Sequence, residues 1–126
     1  MRGLTPAPTM ILAILDDLIF TSKIRVAASQ LGVPVKFART ADAALADMRD
    51  QAPSLVIFDL NNPRTDPLGT VRTMKLDATL ASIRTVGFVS HVQTELIEAA
   101  RQAGVDEVLA RSAFTTRLAE ILSRQA

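Results

Sequence analysis

The chain has 126 residues, of which 48% are hydrophobic and 21% are charged, and its formal net charge is +1 at pH 7. This length and balance are typical of one globular domain. The near-neutral charge gives no sign of a basic surface for nucleic acid. The sequence also has no apolar run long enough to span a membrane. The absence of cysteine excludes disulfides and thiolate metal sites, and it predicts a cytoplasmic location.

Short apolar runs alternate with amphipathic segments through most of the chain. Residues 1–9 are predicted to be a flexible lead-in, and residues 10–126 to form the domain. Runs of four to eight apolar residues are typical of buried strands, and apolar residues three and four apart are typical of helices. In chain order the prediction is strand 10–16, helix 18–31, strand 33–38, helix 41–50, strand 54–59, helix 68–76, strand 84–90, helix 93–103, strand 106–110 and helix 115–124.

Local signals fix the bounds of the first two helices. Gly32 is expected to end the first helix, and Thr40 to cap the second. The first helix is expected to turn inward the residues Leu18, Ile24, Ala27, Ala28 and Leu31. The second is expected to turn inward Ala43, Leu45, Ala46 and Met48.

Unbroken strand–helix alternation predicts the fold class. Helical crossovers between short buried strands imply a parallel sheet with helices on both faces, a doubly wound α/β domain. We expect five strands in the order 2-1-3-4-5.

Acidic residues close two of the apolar runs. Asp16 and Asp17 follow Met10–Leu15, and Asp59 follows Leu55–Phe58. Because ligands of such sheets bind at the carboxyl ends of the strands, three carboxylates there favour a divalent cation such as Mg²⁺. The alternative is that the pair only caps the first helix.

Residues at the ends of four predicted strands match one known pattern. They are Asp16 and Asp17 after the first strand, Asp59 with Asn61 and Pro63 after the third, Ser90 ending the fourth and Arg111 ending the fifth. In this order and spacing the chain resembles the flavodoxin-like, CheY-like receiver domain of bacterial response regulators over residues 10–124.

The resemblance implies a role for each position. Asp59 would accept a phosphoryl group, and weakly bound Mg²⁺ would be held by Asp16, Asp17, Asp59 and the main-chain carbonyl of Asn61. Ser90 and Arg111 would contact phosphoryl oxygens. Self-phosphorylation and autodephosphorylation at Asp59 would be the only chemistry, so the protein is not expected to be an enzyme otherwise.

The chain departs from the family at several of these places. Arg111 and Ser112 stand where the family has Lys and Pro, His91 replaces a small residue, and Val108 replaces an aromatic one. The loop after Pro63 is also two residues longer.

Two of the departures concern access to the site. A guanidinium can engage a carboxylate through two hydrogen bonds. We therefore expect Arg111 to lie toward Asp59 or Asp17 in the unphosphorylated state, where it could act as a structural cation. His91 is expected to narrow the pocket mouth. Together they should slow phosphorylation.

Two functions follow from the resemblance. The first is a single-domain receiver in a two-component phosphorelay, with a histidine kinase or phosphotransfer protein as donor. No output domain is expected after Ala126, so its signal is expected to pass by protein contact. The alternative is a phosphorylation-independent pseudo-receiver that acts as an interaction module. A flavin- or nucleotide-binding relative of flavodoxin is disfavoured because no Gly-rich loop follows the first strand.

Partner contact is expected on one surface. The resemblance places it on the fourth helix, fifth strand and fifth helix, including Val92, Leu96, Val108 and Arg117. The same surface could serve a homodimer. No nucleic acid and no membrane is expected as a partner.

Overall fold

Five short strands form one parallel sheet in the computed structural model, which describes residues 10–90 and 93–124. The strands are β1 (Ile11–Ile14), β2 (Val35–Ala38), β3 (Leu55–Asp59), β4 (Arg84–Val89) and β5 (Glu107–Ala110). They lie in the order β2-β1-β3-β4-β5, and every neighbouring pair is parallel. The predicted doubly wound sheet and its strand order are confirmed. The predicted lead-in over residues 1–9, together with His91 and Val92, lies outside the described residues.

Six α-helices in the described part of the chain cover the sheet, together with one short 3-10 helix over Pro63–Thr65. They are α1 (Leu18–Leu31), α2 (Ala41–Asp50), α3 (Pro67–Leu76), α4 (Thr94–Ala103), α5 (Arg111–Thr116) and α6 (Leu118–Ser123). The bounds of α1 and α2 agree with the prediction. Neither these nor the other described helices are long and apolar enough to cross a membrane.

The predicted bounds of the last helix are wrong. In place of one helix over 115–124 there are two, and the first begins at Arg111, which therefore starts a helix instead of ending β5. The hydroxyls of Thr115 and Thr116 bond back to the carbonyls of Arg111 and Ser112 one turn earlier, an arrangement that often bends a helix. The two helices meet at Arg117, whose backbone angles (φ −98°, ψ 10°) leave the helical range.

Both faces of the sheet are buried, which explains the continuous apolar runs. Because side chains alternate along a strand, Ile11 and Ala13 join the core beneath α1, α5 and α6. Leu12 and Ile14 join the core on the opposite face, which α2, α3 and α4 cover. The sheet is therefore fixed from both sides, and its carboxyl edge is held in place.

The inward face of α1 differs from the prediction. Leu18 is 73% exposed and Leu31 is 41% exposed. The buried residues are Phe20, Ile24 and Ala28, spaced four apart on one stripe. The buried stripe is rotated relative to the predicted one because the ring of Phe20 packs into the core. The prediction does not include Phe20.

The face of α2 also differs in part. Ala44 and Met48 are buried and Leu45 is half-buried, but Ala43 and Ala46 are exposed. Alanine fits either side of a helix, so its presence does not determine which face turns inward.

Candidate functional site

The sheet brings the predicted site residues to one edge. Asp16 and Asp17 follow β1, and Asp59 is the last residue of the adjacent strand β3. Ser90 follows β4, and Arg111 follows β5. Because all the strands are parallel, these positions share the carboxyl edge of the sheet, where ligands of doubly wound folds bind.

Asp59 is a half-buried carboxylate held by its own loop. Its Oδ1 accepts a hydrogen bond from the backbone N–H of Asn61 at 3.0 Å. Burial raises the pKa of Asp59 above its ordinary value, while the Asn61 N–H and the charge of Arg111 oppose that rise. The negative charges of Asp17 and Asp16 raise the pKa further. The three acids therefore lie within electrostatic reach of one another.

Asp17 uses both carboxylate oxygens in this structure. Its Oδ1 accepts a hydrogen bond from the backbone N–H of Phe20 at 3.0 Å, which makes it the N-cap of α1. Its Oδ2 accepts from Nη2 of Arg111 at 2.7 Å. The Phe20 N–H and the Arg111 guanidinium hold the pKa of Asp17 below its ordinary value. The expectation that Arg111 lies toward Asp59 or Asp17 is confirmed, and the partner is Asp17.

An aromatic ring supports the guanidinium of Arg111. Its central carbon lies 4.6 Å from the centroid of the Phe20 ring, a geometry that favours a cation–π interaction. Phe20 in turn lies 4.7 Å from the ring of Phe88 and 5.7 Å from the ring of Phe114. Sequence reasoning missed Phe20, although its place three residues after Asp17 could have drawn attention to it.

Asp16 has a looser partner. The Nη1 atom of Arg64 lies 3.6 Å from its Oδ2, and the Arg64 side chain is 81% exposed. An ion pair this long and this open to solvent contributes little to stability. The side chain of Asp16 is therefore held less firmly than that of Asp17.

Asn61 joins the loop after β3 to the loop after β4. Its Oδ1 accepts a hydrogen bond from the backbone N–H of Ser90 at 2.6 Å, and its Nδ2 donates to Oε1 of Gln93 at 2.6 Å. Ser90 itself is exposed. The sequence predicted a role only for the main-chain carbonyl of Asn61, and it gave no signal for Gln93.

The acids do not form a closed metal cluster in this conformation. Within residues 10–90 and 93–124, no three side chains of His, Cys, Asp or Glu converge closely enough to share a metal ion. The donor chemistry nonetheless suits Mg²⁺, which takes oxygen ligands and binds through few carboxylates. Asp17 is engaged by Arg111 in this conformation. The metal ligand set stays a prediction.

The predicted partner surface is only partly available. Leu96, Val108 and Arg117 are all half-buried, and Val92 falls outside the described residues. The Arg117 guanidinium is already paired with Glu107 at 3.1 Å and with Glu120 at 3.2 Å. A partner on this surface would therefore meet an internally neutralised charge.

One curated relative shares sequence with the chain. It is the transcriptional activator protein ExaE of Pseudomonas putida, 30% identical over 93 residues, which are 74% of this chain and 42% of ExaE. The chain thus spans about two fifths of the length of that relative. No protein-family model matches the chain.

Solved structures of response regulators superpose along nearly the whole chain. A response regulator from Hahella chejuensis has a TM-score of 0.84 and 17% identity, covering 93% of this chain and 94% of its own. The phosphorylated cyanobacterial phytochrome response regulator RcpA has a TM-score of 0.78 and 23% identity, covering 94% and 91%. The Mn²⁺-bound form of response regulator Rcp1 has a TM-score of 0.79 and 19% identity, covering 92% and 93%. The chain therefore has the fold of the CheY-like receiver domains of response regulators.

Proposed function

We propose that this chain is a receiver of two-component signalling and accepts a phosphoryl group on Asp59. The observation that carries the proposal is the setting of Asp59. It ends β3 at the carboxyl edge of a receiver fold, with one oxygen fixed by the Asn61 N–H and with Asp17 and Arg111 close by. That RcpA is known in a phosphorylated form supports the proposal.

Asp59 supplies the nucleophile. A carboxylate oxygen forms a bond to phosphorus while the bond between phosphorus and the donor breaks, and a phosphohistidine donor would leave as imidazole. Catalysis of phosphoryl transfer consists mainly of positioning and charge neutralisation. The Asn61 N–H does the positioning, because it sets the orientation of the carboxylate. No further enzymatic activity is proposed.

A divalent cation would supply the missing positive charge. Asp17, Asp59 and the main-chain carbonyl of Asn61 would hold it, with Asp16 acting directly or through water. The Mn²⁺-bound form of Rcp1 supports a divalent ion in this fold. We propose Mg²⁺, bound weakly, since Mg²⁺ keeps much of its own water.

Two more residues would meet the phosphoryl oxygens. Ser90 sits beside the site because its backbone is bonded to Asn61, and its hydroxyl would donate a hydrogen bond. Arg111 would turn its guanidinium from Asp17 to the phosphoryl group, where a planar fork can contact two oxygens.

Protein partners complete the proposal. A histidine kinase or phosphotransfer protein in the cytoplasm would donate the phosphoryl group. A downstream protein, or a second copy of the chain, would bind the surface of α4, β5, α5 and α6 that includes Leu96, Val108 and Arg117. The activator role of the relative ExaE supports a place in regulation.

A second candidate is a phosphorylation-independent interaction module. The observation that favours it is the ion pair between Arg111 and Asp17, which neutralises part of the site without any metal. In that case the acids would be structural and partner binding would not depend on Asp59.

Intact mass distinguishes the two candidates. The protein is incubated with Mg²⁺ and acetyl phosphate, and we expect a mass increase of one phosphoryl group that is lost in Asp59→Asn. The exposed Asp42 on α2 provides a matched control, because Asp42→Asn removes the same charge away from the site and should keep the uptake. A wild type that gains no mass under these conditions would contradict the first candidate.

A further inference from the structure

We infer that Arg111 is an internal cation that competes with the divalent metal for Asp17, and that Phe20 is the positioning residue that keeps it there. This inference rests on the proposed function and deepens it, because it concerns how the same site is regulated. It follows from three contacts of the described residues: the cap, the ion pair and the stacked ring.

Both carboxylate oxygens of Asp17 already accept a hydrogen bond in this structure. Oδ1 accepts from the Phe20 N–H at 3.0 Å and Oδ2 accepts from Arg111 at 2.7 Å. The first bond caps α1, and breaking it would leave a helix N–H without its partner. The second bond places a positive charge 2.7 Å from Oδ2. That charge would repel a divalent cation at the same oxygen, so the guanidinium and the metal compete for Asp17.

Phe20 makes the resting position of Arg111 specific. Phe20 is 2% exposed, and its ring packs against the rings of Phe88 and Phe114. A guanidinium can stack flat on such a ring and still donate to a carboxylate, whereas an ammonium group is a compact point charge. Arginine at this position thus gains two contacts that together hold it on Asp17.

The exchange at Asp17 would also deliver charge to the acceptor. On Asp17, Arg111 lies at the carboxyl edge of β1, and Asp59 ends the neighbouring strand β3. A guanidinium released from Asp17 would be free to turn toward a phosphoryl group on Asp59. By linkage, whatever holds Arg111 on Asp17 weakens metal binding by the same factor.

Direct metal titration tests the inference without relying on phosphorylation. We would measure Mn²⁺ affinity by calorimetry for the wild type, Arg111→Gln, Phe20→Leu and Arg64→Gln. We expect roughly tenfold tighter binding for Arg111→Gln and roughly two- to fivefold tighter binding for Phe20→Leu. Phe20→Leu keeps every charge, so tightening in that variant reflects lost positioning of Arg111 alone.

Arg64→Gln is the matched control for simple loss of charge. Arg64 lies 3.6 Å from Asp16 and has no contact with Asp17, so we expect less than about a twofold change. If Phe20→Leu fails to fold, as judged by circular dichroism, Arg111→Lys replaces it. Lysine keeps the charge but loses the flat fork, and it should also bind Mn²⁺ more tightly than the wild type.

The outcomes separate this inference from the proposed function. Measurable Mn²⁺ binding by the wild type, with equal or weaker binding by Arg111→Gln, overturns the inference and leaves the receiver proposal standing. Tightening by Arg64→Gln as large as that of Arg111→Gln also overturns it. Absence of Mn²⁺ binding in both the wild type and Arg111→Gln overturns the inference together with the metal site.

Discussion

The side-chain oxygen of Asn61 accepts a hydrogen bond from the backbone N–H of Ser90 at 2.6 Å. This bond connects the loop that follows β3 to the end of β4. The backbone N–H of Asn61 also donates a hydrogen bond to Oδ1 of Asp59. Asn61 therefore links the position of Ser90 to that of the Asp59 carboxylate.

Replacement of Asn61 by alanine should release Ser90. We expect amide hydrogen exchange at Ser90 to rise by about fivefold, because the N–H loses its only side-chain acceptor among the described residues, and this bond is worth roughly 1 kcal/mol. Gln93→Ala is the control, since it removes only the partner of the Asn61 Nδ2. Unchanged exchange at Ser90 in Asn61→Ala would show that the tie is not formed in solution.

Asp59→Asn should stabilise the protein at neutral pH. Burial raises the pKa of Asp59, so the folded state binds its proton more tightly than the unfolded chain. Stability therefore falls as pH rises from the ordinary pKa through the raised one, and at neutral pH the charge has a cost. We expect the free energy of unfolding to rise by about 1 kcal/mol at pH 7 and to be nearly unchanged at about pH 3. Urea denaturation at both pH values measures this, and a loss of stability at pH 7 would contradict it.

Asp17→Asn should have the opposite effect. Asparagine can still cap α1, but the ion pair with Arg111 is lost. Since the pKa of Asp17 is lowered, its contribution to stability is present above the ordinary pKa and is lost as pH falls through the lowered one. We expect a decrease of about 0.5–1 kcal/mol at pH 7, because the pair is partly exposed to solvent. Asp16→Asn should cost less, and equal losses in the two variants would contradict the assignment.

Thr85 and Asp106, at the amino ends of β4 and β5, should contribute to stability and not to phosphoryl uptake. Asp106 Oδ2 accepts from the backbone N–H of Thr85 at 2.8 Å, and Thr85 Oγ1 accepts from the Asp106 N–H at 2.9 Å. Thr85 is fully buried, so Asp106→Ala leaves its N–H without a partner, at a cost of roughly 2 kcal/mol. Asp106→Asn keeps an acceptor and should cost less. Thermal unfolding measures both variants, and phosphoryl uptake at a temperature where they are folded should match the wild type.

The sequence was sufficient for the fold because its signals were local. Asp17 and Thr40 accept the N-cap bonds of α1 and α2, as their side-chain chemistry predicts. Gly32 ends α1 in the left-handed conformation (φ 68°) that glycine adopts most readily. Each of these signals depends on residues within one helical turn, so no tertiary information was needed.

The details that the sequence did not predict depend on distant contacts. Phe20 turns inward because Phe88 and Phe114 are there to pack against it, and both are more than sixty positions away in the chain. Asn61 engages Gln93 across a separation of 32 residues. The sequence leaves open whether Arg111 pairs with Asp59 or with Asp17. In the structure Asp17 caps α1 through Oδ1, and its Oδ2 accepts from Arg111.

The aromatic cluster of Phe20, Phe88 and Phe114 also gives the protein an optical signature. The chain has no tryptophan or tyrosine, and three of its five phenylalanines are in this cluster. Near-ultraviolet circular dichroism of the folded protein therefore comes from phenylalanine alone, with the ring beneath Arg111 among its sources. Departure of the guanidinium from that ring should change the fine structure of this spectrum, so the native protein carries a label-free reporter at its own site.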